Sequence, residues 1–254
     1  MALNLANRIG MLKGKPQFFN PKKLNQLHYN KLLPHDKDCY MALKNSIIMH
    51  LPIVECEPPI SFSDVLRALN LDNPEFYYVN WSQSIHYVKN MNKIEIKIPY
   101  IYKSMITDVD SRLAMILSNI DGKSTRDVSK KIHDKIIQSV YYDFTGLQAQ
   151  IRKPSMWSLL GPLLEGTGVC EGISKIACYM LRKKGIPAAV MSGSAFNGQR
   201  WENHAWNALY VNNAVLHSDI TFDIALSNSW RISHKYHHMN DKQCSKEHKY
   251  TAIL

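Results

Sequence analysis

Residues 166–187 read GTGVCEGISKIACYMLRKKGIP, with a cysteine set between a Gly-Thr-Gly turn and a run of helical period. Ile173, Ile176, Ala177, Met180 and Leu181 recur at i, i+3, i+4, i+7 and i+8, which predicts one buried stripe. Arg182, Lys183 and Lys184 fill the last turn, where positive charge suits the helix dipole. Gly185 suits the position after the helix, and Pro187 prevents continuation. Cys170 therefore opens this helix. Alone, it would read as a buried structural thiol.

Its partners are sought downstream. Three runs read as strands: PAAVMSGSA (187–195), HAWNALYV (204–211) and AVLHSDITF (214–222). Asn212 and Asn213 tolerate positive φ, so they predict a two-residue hairpin turn. Val211 then faces Ala214, His204 faces Thr221 and Trp206 faces Asp219. In that register His204 and Asp219 share one face as diagonal neighbours. A slip of one residue would part them. The apolar stripe of the Cys170 helix must pack on this sheet, which brings sulfur and imidazole within one short crossover.

The combination has a chemical rationale. The thiolate is the nucleophilic form of cysteine. Unpaired N–H groups at a helix start and a neighbouring imidazolium both favour an anion. A carboxylate on the far ring nitrogen fixes the tautomer and orientation of the imidazole. Gly166 and Gly168 let the preceding turn approach a substrate closely. Singly, His204 reads as a satisfied strand histidine and Asp219 as a turn cap; together they predict a thiol triad. His217, on the Asp219 face, is the weaker candidate for the base. Trp206 is expected to pack. Glu171, in the first turn, is expected to support the helix dipole.

GVCEGISKIACYMLRKKGIP, HAWNALYV and HSDITFD resemble the Cys, His and Asp segments of the transglutaminase-like superfamily, bacterial relatives of transglutaminases with a papain-like core. IHDKIIQSVYYD (132–143) is similar to the helix before the cysteine in that family. The resemblance covers roughly 124–225 and extends weakly through DNPEFYYV and YHHMNDKQCSKEH. It implies Cys170 as nucleophile, His204 as general base and acid, and Asp219 as orienter. The Asp segment departs from the pattern: Leu216-His217 stands where the family often has tryptophan or tyrosine. The oxyanion donors are left open among the Cys170 N–H, Tyr141, Tyr142 and Trp157. The implied activity is acyl transfer or hydrolysis on a protein or peptide amide through a thioester: peptidase, deamidase or cross-linking enzyme. A non-catalytic binding module of the same fold and a basic scaffold for an anionic polymer remain the alternatives.

Upstream, turn signals stand at Asn20-Pro21 and Leu33-Pro34, and a helix is predicted at 37–50. FSDVLRALNL (62–71) predicts a helix capped by Ser63 and ended by Asp72-Asn73-Pro74. FYYVNW (76–81) and KIEIKIPYIY (93–102) read as strands; Ile94, Ile96 and Ile98 alternate with charge in the second. Helices are predicted at 111–120 and 124–143, the latter capped by Ser124 with Asp127 three places on. Residues 144–168 read as a long loop. The expected class is α+β. A transglutaminase-like core over 105–254, its cysteine helix packed on an antiparallel sheet bearing His and Asp, is expected to follow a basic N-terminal α+β region over 1–104, with substrate selection as the expected role of that region.

Composition bounds the rest. The 254 residues, 45% hydrophobic and 20% charged, suit an ordinary globular protein. No run approaches a membrane span. The N-terminus lacks a signal-peptide pattern, so the chain reads as cytoplasmic, or as secreted had a leader been removed. The net charge is +10, and residues 1–44 hold eight basic against two acidic side chains, an arm suited to an anionic partner. Five cysteines, odd in number and without C-x-x-C spacing, argue against a disulfide framework and a zinc site. His234, His237 and His238 lack a carboxylate or cysteine pattern beside them in sequence. No metal and no cofactor is expected.

Overall fold

The stripe on the Cys170 helix demands an apolar partner, and the long hairpin supplies it. In a computed structural model that describes residues 20–81, 87–90, 93–101, 103–148 and 153–250, this helix spans Cys170–Lys183. Ile173, Ile176, Ala177, Met180 and Leu181 are all buried, each worth roughly 1–3 kcal/mol of transfer free energy. Gly185 follows with a φ of 74° and closes the helix.

The helix lies on a five-stranded antiparallel sheet with spatial order His248–Lys249, Ala188–Phe196, Trp201–Val211, Ala214–Ser218, His237–Met239. The class is α+β. Asn212 and Asn213 have φ of 51° and 63°, both positive as the hairpin turn requires. The register runs as expected from Val211↔Ala214 to Asn207↔Ser218. There it stops. The predicted strand 214–222 ends at Ser218, and His204 has no ladder partner in Thr221, because Asp219 caps a helix, Ile220–Leu226.

The N-terminal part differs more from expectation. The first long helix is Pro34–Ile48 and the second Phe62–Asp72, capped by Ser61 rather than Ser63. A three-stranded sheet has Lys93–Lys97 between Ile53–Cys56 and Tyr87–Asn90. FYYVNW forms no strand. Phe76, Tyr77, Tyr78 and Val79 are consecutively buried in a turn, with one bridge from Val79 to Tyr100. Two-sided burial of aromatic residues overrides their strand propensity here. The loop at 144–168 contains Phe144–Gln148, a tight turn at Pro154–Trp157, a wide turn at Gly161–Glu165, and a two-residue strand, Thr167–Gly168, parallel to Tyr141–Tyr142. The helices at 106–118 and 125–139 match their periodicity, and Ser124 accepts from the Asp127 N–H at 3.2 Å.

Polar pins join the N-terminal helices to the Cys170 helix. Buried Lys175 donates to Asn70, Trp157 O and Glu171 at 2.6, 2.8 and 2.6 Å. Arg182 donates to Asp72 O, Asn25 O and Ala188 O at 2.6, 3.0 and 2.8 Å. One hydrophobic cluster runs from Tyr40 and Leu69 through Ile96 to Ile173 and Leu209. Cys39 and Cys56, from the first helix and first strand, have their sulfurs 2.9 Å apart, a contact no sequence spacing foretells. Arg8, Lys13 and Lys15 of the basic arm lie outside the described residues. Among the described residues, no helix is long and apolar enough to cross a membrane.

Candidate active site

Asp219 sits where a strand becomes a helix. A bulge between His217 and Ser218 shifts the register against His237–Met239, and bulges redirect the next side chain. The Asp219 side chain then caps the helix, Oδ1 accepting from the Phe222 N–H at 3.1 Å. Its other oxygen, Oδ2, accepts from His204 Nε2 at 2.7 Å. The carboxylate is fully buried.

His204 lies in the middle strand of the sheet, its side chain 8% exposed and its ring stacked on Phe222 at 4.8 Å between centroids. With Nε2 committed to Asp219, Nδ1 is the nitrogen left for the Cys170 sulfur, which hydrogen-bonds to this ring. Burial pulls the imidazole down, but the Asp219 carboxylate and the sulfur outweigh it, and the ring is pushed up to about 10. Burial would raise the Asp219 carboxyl; the His204 charge and the bonds from two histidines hold it well below the usual range instead. The three sequence-predicted residues thus meet, though not on one continuous ladder.

Other candidates separate cleanly. The Tyr142 hydroxyl lies against Cys170, bonding to its backbone N–H and its thiol, and is pushed up by burial and by that sulfur. Tyr141 is largely exposed. Glu171 turns away from the sulfur. Burial would raise its carboxyl, yet the Lys175 ammonium holds it below its ordinary value, with Asn70 donating at 3.1 Å. His217 is buried between the Trp206 indole, which donates to Nδ1 at 3.2 Å, and Asp241, at 2.9 Å from Nε2. Trp206 packs, with no exposure.

Sequence reasoning missed His248. From the two-residue edge strand its Nε2 reaches the same Asp219 oxygen at 2.9 Å. Missed too were the partners of the downstream histidines. His234 contacts Asp134 at 2.5 Å and His238 contacts Ser129 at 2.8 Å, both from the helix Thr125–Ser139. His133, on that helix, places its ring between Asp134 and Asp223, at 3.4 and 3.1 Å. Ligand atoms of His133, Asp134 and His234 lie within 4.8 Å of one another, as a small cation would need. The Lys130 ammonium, 2.6 Å from Asp134 Oδ2, already supplies positive charge there.

Residues 115–220 match the model of the transglutaminase-like superfamily, a span that includes Cys170, His204 and Asp219. Among solved structures, the chain is similar to a TGase at 17% identity and TM-score 0.43, covering 72% of this chain and 54% of that one. It is similar to a protein described as a candidate cysteine protease from Cytophaga hutchinsonii at 16% identity and TM-score 0.36, covering 54% and 61%. It is also similar to menin, solved for its binding site for Mixed Lineage Leukemia protein, at 13% identity and TM-score 0.35, covering 75% and 36%. The chain thus spans between about a third and three fifths of those proteins. No curated protein matches it.

Proposed function

We propose that this chain is a thiol enzyme acting on a protein or peptide amide. The observation that carries the proposal is the buried Asp219 carboxylate bonded to one nitrogen of His204 while the Cys170 sulfur lies on the same ring, at the start of a helix. Cys170 attacks the amide carbonyl and forms a C–S bond. His204 delivers its proton to the departing nitrogen as the C–N bond breaks. Water then attacks the thioester, gives its proton to His204 and releases the acid; an amine in place of water would give a cross-link. Hydrolysis is the favoured outcome, since bulk water competes unless it is excluded. The Cys170 N–H, which bonds the Tyr142 hydroxyl in the free protein, is the proposed donor to the developing oxyanion once substrate takes that hydroxyl's place. Asp219 orients the imidazole. The N-terminal helix bearing Asn70 and Arg67, which touch Glu171 and Ser192, borders the region of the site and is the proposed selector of substrates.

The test is intact-protein mass spectrometry after brief iodoacetamide treatment at neutral pH, followed by a panel of glutamine peptides. Cys170 is expected to alkylate first, and His204→Ala to slow this by about a hundredfold. Peptide mass shifts then separate deamidation, cleavage and cross-linking. Slow alkylation of Cys170 in both proteins would leave a binding module of the same fold.

A further inference from the structure

The second histidine on Asp219 has no counterpart in the three-residue arrangement. His248 is buried, and its ring is walled by Trp206 at 4.8 Å, Phe222 at 5.4 Å and Tyr236 at 6.3 Å between centroids. Its Nδ1 lies 3.2 Å from the Cys244 carbonyl, and its Nε2 lies 2.9 Å from Asp219 Oδ2. Both partners accept, and in the tautomer with hydrogen on Nε2 the ring donates to Asp219 while Nδ1 rests against the Cys244 carbonyl. The first contact fixes the rotation of the ring and the second aims it.

The backbone is shaped to bring this ring in. His248 pairs with Ala195 at the sheet edge. At neighbouring Gly193, a Cβ would collide with the Lys249 carbonyl and press on Trp206 at 3.1 Å, so only glycine admits the edge strand this closely. The edge strand is set by the short helix Asp241–Cys244, whose Asn240 and Gln243 form a capping box with bonds of 2.9 Å each way. Asp219 therefore receives three side-chain-directed bonds: Phe222 N–H on Oδ1, and His204 and His248 on Oδ2.

We propose that His248 is a positioning residue that locks the Asp219 carboxylate against His204, so that the C-terminal segment completes the active site. This rests on the triad reading of Cys170, His204 and Asp219. The physical reason is that Phe222 N–H holds Oδ1 while His204 alone would leave Oδ2 with one partner, and His248 fixes that oxygen with a second donor. In a buried site a carboxylate oxygen that loses one of its donors is left undersatisfied. An outer partner of this kind commonly changes activity by about 10–100-fold when removed.

Two variants separate positioning from packing. His248→Gln keeps an N–H near the Nε2 position; His248→Leu keeps bulk and removes the donor. The rate of Cys170 alkylation across pH is measured with thermal unfolding as a control on folding. The low-field ring N–H resonance of His204 is recorded by NMR in all three proteins. His248→Leu is expected to slow alkylation about tenfold or more, to change its pH profile and to broaden the resonance. His248→Gln is expected to stay within about threefold of the parent and to retain the resonance. The proposal is overturned if the leucine variant keeps the parent's rate and resonance, or if the glutamine variant falls as far as the leucine one. If Cys170 of the parent alkylates no faster than in His204→Ala, it is the triad reading that fails. The resonance comparison still decides the place of His248.

Discussion

The cluster of His204, Asp219 and His248 and the cluster of His133, Asp134 and His234 use the same residue types, each set within 4.8 Å. Their surroundings differ in two respects. Asp219 is fully buried, and histidine rings supply its two side-chain donors. Asp134 is partly exposed and is bonded by the Lys130 ammonium as well as by histidine. The second difference is what lies beyond the rings. His204 leads to a sulfur at a helix start, while His133 leads only to a second carboxylate, Asp223. The same composition therefore makes a candidate reaction centre in one place and a clamp between the helix Thr125–Ser139 and the C-terminal segment in the other. What separates them is a sulfur on the free ring face.

That contrast can be broken by substitution. The largest expected effect is from Asp219→Asn, which removes the charge and favours the wrong ring tautomer. Turnover should fall by about 10²–10⁴-fold, read from the same peptide assay. Asp223→Ala should act in the opposite currency. It strands buried His133 and the Ser233 hydroxyl and Tyr236 N–H that Asp223 accepts, costing about 3–5 kcal/mol in urea unfolding. Alkylation of Cys170 in the folded fraction should change little. Equal loss of thiol reactivity in both variants would erase the distinction between the clusters.

A pH series sharpens it. The His204 ring is raised from 6.5 to about 10, so its contribution to stability is complete below pH 6.5 and disappears as pH climbs to about 10. Asp219 is lowered, so its part is complete above its ordinary 3.8 and is lost toward acid. The gap in Tm between the parent and Asp219→Asn should accordingly narrow from pH 6 to pH 10, by roughly several degrees. A gap that stays constant would argue against the ion pair. The smallest effect belongs to Lys130→Ala. An exposed i, i+4 pair contributes about 0.3–0.5 kcal/mol, visible only as a slight shift of the urea midpoint.

Much of this site is legible before folding because its signals are local. The stripe from Ile173 to Leu181, the glycine at 185 and the Asn212-Asn213 turn each act within a few residues, and all three recur in the structure. The strand through Asp219 was misread because AVLHSDITF keeps a plausible extended pattern. The competing signal was present: an aspartate followed by Ile220 and Ile224 at helical spacing. His248 offered no such signal, since its strand is two residues long and exists only by pairing with Ala195. The carboxylates facing the downstream histidines were hidden by distance, lying 100 residues away for Asp134 and His234.

Taken alone, the chain determined where its helix begins, that its sulfur stands there, and that a hairpin of definite register carries an imidazole. Those outcomes follow from periodicity, turn chemistry and caps, which need only near neighbours. Tertiary structure alone decided how Asp219 reaches that imidazole by leaving the ladder, which second ring also bonds the carboxylate, and which histidine cluster faces no sulfur. Such choices depend on elements far apart in the chain that become adjacent only when their apolar faces are buried together.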